Sequence, residues 1–354
     1  MHHSNGEASS AIKTLHHTYK GVFYARATRI TFRDACIGNW IRYVAIRHRL
    51  GGEATPKDAY AVLETAVEQG VIFIDTADVY GDGRSEQFVG QFRRNHLDKK
   101  LFIATKMGRR GPQIFDEYDR DNFIVWNDRS RINLQMDTLD LVQLHCPPTD
   151  VIIAQPTYDF LDDMVEQGRI ARYGVSVETC EQALLAMQRD HAASIQIIMN
   201  VFRRKPLEEV LPRAIETGTA IIVRVPLASG LLSGRYTKDT TFAPIDHRTY
   251  NRHGESFDVG ETFAGVPFDV GVEAAQTFSA LTREYVPQAS PAQVALRWIL
   301  DQEGVSTVIS GGRNTTQVKS NNQAADLAPL PAQLHEALED LYNEHIRQYV
   351  HDRW

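Results

Sequence analysis

Short apolar runs that end in an ionisable residue recur through the first half of this chain, and they limit its possible folds more than any other feature. Val71, Ile72, Phe73 and Ile74 lead into Asp75, with Tyr80 five residues later. Leu101, Phe102, Ile103, Ala104 and Thr105 lead into Lys106, and the run 139–144 leads into His145. Runs of this length, separated by helix-like segments, read as parallel strands of a βα repeat, buried on both faces. In a (β/α)8 barrel the chemistry gathers where the strands end. An Asp, a Tyr, a Lys and a His would then converge on one mouth.

The rhythm continues along the chain. Pro56 and Gly70 bracket a first helix, because proline suits the first helical turn and glycine the exit. Ser85 and Glu86 open a second helix, and a third lies near 122–135. A helix ending at 167–169 precedes a strand at 170–176. Helices at 178–189 and 206–217 alternate with strands at 194–200 and 220–225. A long irregular stretch from 226 to about 270 follows, and such loops in compact domains usually close over or line a site. Ser290 and Pro291 start another helix, 305–310 is the last strand, and helices are expected at 314–325 and 331–347. Seven strands are clear and an eighth, near 36–46, is doubtful. No early Gly-x-Gly-x-x-Gly turn marks a doubly wound dinucleotide fold, so the expected class is α/β, a closed (β/α)8 barrel. It would carry an N-terminal hairpin within 15–32 and a C-terminal helix. Residues 1–12 are expected to be a disordered tail, and 13–354 a single domain.

Bulk composition excludes some functions. The chain is 43% hydrophobic and 23% charged, ordinary for a soluble globular protein, and its net charge of −7 argues against a nucleic-acid partner. No apolar stretch is long enough to span a bilayer, and the start lacks the apolar core of a secretory leader, so no membrane and a cytoplasmic location are expected. Cys36, Cys146 and Cys180 are too scattered for a metal-ligand spacing and read as free thiols; no metal is expected. Cys146 adjoins His145, which invites a Cys–His nucleophile, but neighbouring strand residues alternate faces and the two side chains should diverge.

The four convergent residues form a coherent proton-donating set. A free phenol has a pKa of about 10, and a neighbouring ammonium makes its proton easier to give. Lys106 could supply that charge, and Asp75 would compensate it, since an unpaired buried ion is expensive. His145 could donate a second hydrogen bond to a developing alkoxide.

The stretch Phe73-Ile74-Asp75-Thr76-Ala77-Asp78-Val79-Tyr80-Gly81-Asp82-Gly83-Arg84-Ser85-Glu86 resembles the signature of the aldo-keto reductases. So do Ala104-Thr105-Lys106, Leu141-Val142-Gln143-Leu144-His145 and Gly168-Arg169-Ile170-Ala171-Arg172-Tyr173-Gly174-Val175-Ser176. The likeness runs from about Thr55 to about Leu330. It implies a (β/α)8 barrel that reduces aldehydes or ketones with NADPH, with Asp75, Tyr80, Lys106 and His145 as the catalytic tetrad. It also implies that Ser176 and Gln196 hold the nicotinamide carboxamide, that Asn200 stands beside that strand end, and that Arg224 stacks on the nicotinamide. Pro226-Leu227-Ala228-Ser229-Gly230-Leu231-Leu232-Ser233-Gly234-Arg235 is similar to the loop that folds over the pyrophosphate. Gly311, Gly312, Arg313, Gln317 and Asn321 match the loop and helix start that take the adenosine 2′-phosphate, an anion at a helix N-terminus.

The chain departs from the family pattern at four places. Val177 replaces a frequent Asn, Ser320 a frequent Glu, and Met199 a frequent Tyr. Residues 36–50 lack the usual glycine-rich first strand end and instead carry Arg42, Arg47, His48 and Arg49. Those charges would recruit an acidic substrate if they line the mouth; the alternative is a degenerate segment. Two relatives of the reductase reading stay open at this point. One is a diverged biosynthetic enzyme acting on a specialised carbonyl intermediate. The other is a cofactor-sensing regulatory subunit similar to the potassium-channel β subunits. Substrate, oligomeric state and the direction of reaction are not written in these motifs, because loops rather than the barrel set them.

Overall fold

The computed structural model describes residues 43–45 and 55–354, apart from 313. Eight parallel strands pair in chain order. They are β1 (Tyr43–Ala45), β2 (Phe73–Asp75), β3 (Phe102–Met107), β4 (Leu141–His145), β5 (Tyr173–Ser176), β6 (Ala192–Ile198), β7 (Ala220–Arg224) and β8 (Val305–Val308). Every residue of β6 and β7 is buried, as expected of parallel strands covered on both faces. The principal helices are α1 (Pro56–Glu68), α2 (Arg84–Asn95), α3 (Arg120–Leu134), α4 (Gln155–Glu166), α5 (Cys180–Ala186), α6 (Val210–Thr217), α7 (Phe268–Tyr285), α8 (Pro291–Leu300), α9 (Thr315–Asn322) and α10 (Ala332–Leu341). This alternation is a (β/α)8 barrel, the class the strand spacing led us to expect.

Local chemistry sets the element ends. Thr55 caps α1, accepting from the Asp58 amide at 3.2 Å while the Asp58 carboxylate accepts from the Thr55 amide at 3.3 Å. Pro56 then opens the helix without losing a needed donor. Ser290 and Gln293 repeat the same capping box at α8. Strand register carries the site. Asp75 lies opposite Ala104, Lys106 opposite Gln143, and His145 opposite Ser176, which itself lies opposite Gln196.

The doubtful eighth strand exists. Tyr43–Ala45 pairs in parallel with Phe73–Asp75, although the basic residues Arg42, Arg47, His48 and Arg49 lie outside the described residues, as do the expected tail and hairpin. Some expected bounds shift. The helix expected at 178–189 is shorter, Cys180–Ala186, and 206–217 divides into a 3-10 turn, Lys205–Leu207, and α6. The C-terminal helix passes through a π-helical turn, Tyr342–Ile346, before a last helical turn, Arg347–Val350.

The stretch 226–267 carries only short helical turns, including Ala228–Ser233, Val259–Glu261 and Phe263–Gly265. An aromatic cluster packs it: Phe242, Phe263 and Phe268 meet pairwise at 5.0–5.9 Å between ring centres. Trp354 pins its far end. The indole donates to the Asp258 carboxylate at 2.9 Å, and the Arg203 guanidinium lies 3.9 Å over the ring. A side chain on Gly265, at φ 83°, would come within 2.4 Å of that indole.

Candidate active site

Asp75 ends β2 and Lys106 is the fifth residue of β3, so both reach the barrel axis near its C-terminal end. Both are 1% exposed, and Lys106 Nζ sits 2.5 Å from Asp75 Oδ2. Burial makes the pairing obligatory, since either ion alone would be uncompensated. Nζ also donates to the Thr76 carbonyl at 2.9 Å. The other carboxylate oxygen of Asp75 accepts from Gln196 Nε2 at 2.9 Å and, more distantly, from Gln143 Nε2 at 3.5 Å.

Tyr80 stands in the turn between β2 and α2. Arg110 ties that turn down through the Asp78 carbonyl at 3.0 Å and the Asp82 carboxylate at 2.5 Å. Arg129 adds a second bond to Asp82 at 2.9 Å. The Lys106 ammonium lies 5.5 Å from the Tyr80 ring centre, and the His145 imidazole meets the same ring edge-on at 5.9 Å. The four residues picked out from the strand ends therefore do converge. Burial, with the positive charges of Arg109 and Lys106, holds the His145 pKa well below the ordinary imidazole value. The imidazole is thus neutral near pH 7, and its Nδ1 is buried without a hydrogen-bond partner among the described residues.

Beyond His145, charged side chains pair with one another around the mouth. Arg224, at the end of β7, donates to Glu178 Oε2 at 2.8 Å, to the Val177 carbonyl at 3.1 Å and towards the Cys146 thiol at 3.6 Å. Glu261, from the stretch 226–267, reaches back to Arg109 at 2.9 Å and Arg224 at 3.6 Å. Burial disfavours both guanidinium charges, but Glu261 beside Arg109 and Glu178 beside Arg224 more than restore them, so both pKa values rise. Burial, reinforced by Glu261, raises the Glu178 carboxyl against the pull of Arg224. Arg109, Glu178 and Glu261 were not picked out from the sequence. Arg109 sits three residues past Lys106, which was a usable signal; Glu261 had none beyond its place in a long loop.

Cys146 corrects one expectation. Strand alternation should have turned it away from His145, but the backbone leaves the extended region there (φ 52°) and the thiol enters the mouth, 3.5 Å from Ser176 Oγ. Burial and the nearby Glu178 push its pKa up to about 12, so it stays a thiol and is a poor nucleophile. Cys146, Glu178 and Glu261 stand close enough together to share a cation, but Arg224 and Arg109 already place two positive charges against them.

The remaining residues implied by the resemblance divide by what they already hold. Ser176 is buried at the end of β5. Gln196 spends its Nε2 on Asp75, which leaves Oε1 for a ligand. Asn200 is committed at both ends, donating to the Val225 carbonyl at 3.0 Å and accepting from the Phe202 amide at 2.8 Å, so it shapes the strand end. In the turn after Pro226 and Leu227, Ala228, Ser229 and Gly230 take φ values of 46°, 54° and 101°. Ser229 Oγ donates to the Glu261 carbonyl and accepts from the Phe263 amide, while Ser233 Oγ donates to the Gly230 carbonyl. Leu231 is buried and Arg235 exposed. Beyond β8, Gly311 borders open space: a side chain there would meet nothing within 4 Å. Asn321 donates to its carbonyl at 3.3 Å, and Asn314 caps α9 on the Gln317 amide at 2.9 Å. Arg313 lies outside the described residues. Among the described residues no helix is long and apolar enough to cross a membrane.

Comparison with known proteins gives consistent matches. Residues 46–343 match the sequence model of the Aldo/keto reductase family. An aldo-keto reductase of Bacillus subtilis is 28% identical over 80% of this chain and 82% of its own length. A probable voltage-gated potassium channel subunit beta of Arabidopsis thaliana is 27% identical over 83% of this chain and 87% of its own. Among solved structures, a glycerol dehydrogenase from Gluconobacter oxydans superposes with a TM-score of 0.69 at 25% identity, covering 86% of this chain and 91% of the other. An aldo/keto reductase from Klebsiella pneumoniae, solved with NADP and acetate, superposes with a TM-score of 0.63 at 22% identity, covering 85% and 91%.

Proposed function

The chain belongs to the aldo/keto reductase family, and from that premise we propose that it reduces an aldehyde or ketone with NADPH, Tyr80 giving the proton. The observation that carries this reading is the convergence of Asp75, Tyr80, Lys106 and His145 from three strand ends onto one mouth. When bound, NADPH supplies the hydride. The residues present suit it: a buried strand-end serine at Ser176, a buried strand-end guanidinium at Arg224, and open space at Gly311. Ser176, Gln196 Oε1 and Arg224 would hold the nicotinamide end. The turn 226–235 would line the pyrophosphate, and Gly311, Arg313, Gln317 and Asn321 the adenosine end. Arg224 is already fixed in plane by Glu178 and the Val177 carbonyl, which suits a stacking role.

The chain's own chemistry follows from its charges. Lys106 holds a positive charge beside the Tyr80 ring, which favours loss of the phenolic proton to a developing alkoxide. Asp75 pairs with that ammonium and aims it. His145, neutral, can donate one ring N–H to the same carbonyl oxygen and orient it. The family also includes relatives with channel-subunit names, and slow turnover with tight cofactor binding would favour that role. A screen of NADPH and NADH oxidation against aldehydes, ketones and sugars, neutral and carboxylate-bearing, tests the reading. Multiple turnovers with at least one carbonyl class support it; cofactor binding with no turnover on any class refutes it.

A further inference from the structure

We propose that Arg109 is the anchor for a carboxylate on the substrate, and that Glu261 occupies that carboxylate's place in the structure. The proposal deepens the reductase reading above and rests on it.

The Glu261 carboxylate is 4% exposed and comes from a segment more than 150 residues away to end 2.9 Å from Arg109 Nη1. A carboxylate of the chain itself is thus the group this pocket has been shaped to receive. Its location matters as much as its partner. Arg109 follows Lys106 by three residues, and Glu261 also lies 3.6 Å from Arg224, whose guanidinium reaches towards the thiol of Cys146, the residue next to His145. A carboxylate bound there lies close to the oxygen that His145 would polarise, so the carbonyl and the acid sit on one small molecule. Arg109 is 23% exposed, which leaves one side open to an incoming group. The ring of Phe257 lies 5.7 Å from the guanidinium and offers an apolar wall to the carbon skeleton. Exchange of one carboxylate for another would leave the charge of the mouth unchanged, with Glu261 turning from Arg109 towards Arg224, which already lies 3.6 Å away. The substrate class is an aldehyde or ketone that carries a carboxylate a short spacer away.

The test uses the NADPH-loaded protein with 2-, 3- and 4-carboxybenzaldehyde, each against its methyl ester, in wild type, Arg109→Met and Glu261→Gln. Loss of a charge-assisted pair is worth about tenfold or more in affinity. At least one acid should exceed its ester in kcat/KM by that factor in wild type. Arg109→Met should bring the ratio to about one. Glu261→Gln should raise it, because the competing carboxylate is gone. Acid-to-ester ratios at or below one in both wild type and Glu261→Gln overturn the proposal while leaving the reductase reading intact. A ratio lowered by Glu261→Gln as by Arg109→Met also overturns it, since Glu261 would then merely hold Arg109 in place. If none of these aldehydes is reduced, the readout moves from turnover to binding. Calorimetry with benzoate on the NADP+-loaded protein then decides the anchor alone: binding lost in Arg109→Met supports it, and no binding in wild type or Glu261→Gln overturns it.

Discussion

Asp78 links folding to pH through a single buried group. It is completely buried, three residues past Asp75, and both its carboxylate oxygens lack hydrogen-bond partners among the described residues. Burial first, and the nearby Glu86 carboxylate second, push its pKa up to about 7. An unfolded aspartate titrates near 4, so the folded state binds this proton more tightly. The stabilisation from holding the proton is complete below the unfolded value. It is lost as pH rises from about 4 towards 7, and the loss levels off above that. Integrating the linkage between those values from pH 5 to pH 8 gives a loss of about 2.5 kcal/mol. Asp78→Asn removes the titration and keeps the shape. Urea-unfolding free energies of the variant and the wild type, measured at matched ionic strength from pH 5 to pH 8, isolate the effect as their difference. The variant should gain about 2.5 kcal/mol on the wild type across that range. A difference constant with pH would refute the reasoning, because Asp78 would then be ionised in the folded protein throughout.

Further outcomes follow from the same contacts. Lys106→Met leaves Asp75 buried beside an apolar chain and should cost about 3–5 kcal/mol in stability, read by urea midpoint; adding Asp75→Asn should restore much of that stability but no turnover. Gly174→Ala should destabilise the barrel by about 1–3 kcal/mol without touching the mouth, since a Cβ there would lie 2.5 Å from the Ser194 carbonyl oxygen; an unchanged melting temperature would contradict it.

The alternation of strands and helices was legible because buried parallel strands leave compact apolar runs and helix starts carry local caps such as Thr55 and Ser290. The convergence of Asp75, Tyr80, Lys106 and His145 was legible for the same reason: strand-end position converts directly into place in a barrel. Local pattern failed where position depends on backbone detail or distant partners. Cys146 turned into the mouth because of one left-handed residue, which alternation cannot foresee. The 18-residue helix α7 is not legible in the sequence because no side chain caps its start at Pro267. Glu261 meets Arg109 across 152 residues, a contact that only the folded course of the stretch 226–267 creates.

The most direct test of Tyr80 as the proton donor is single-turnover reduction of a neutral aldehyde by the NADPH-loaded protein, wild type against Tyr80→Phe, with NADPH affinity measured alongside. The reading expects hydride transfer to slow by about 10²–10⁴-fold, the range for general acid catalysis, with NADPH affinity little changed. Transfer at the wild-type rate in a folded, NADPH-binding Tyr80→Phe protein would contradict it.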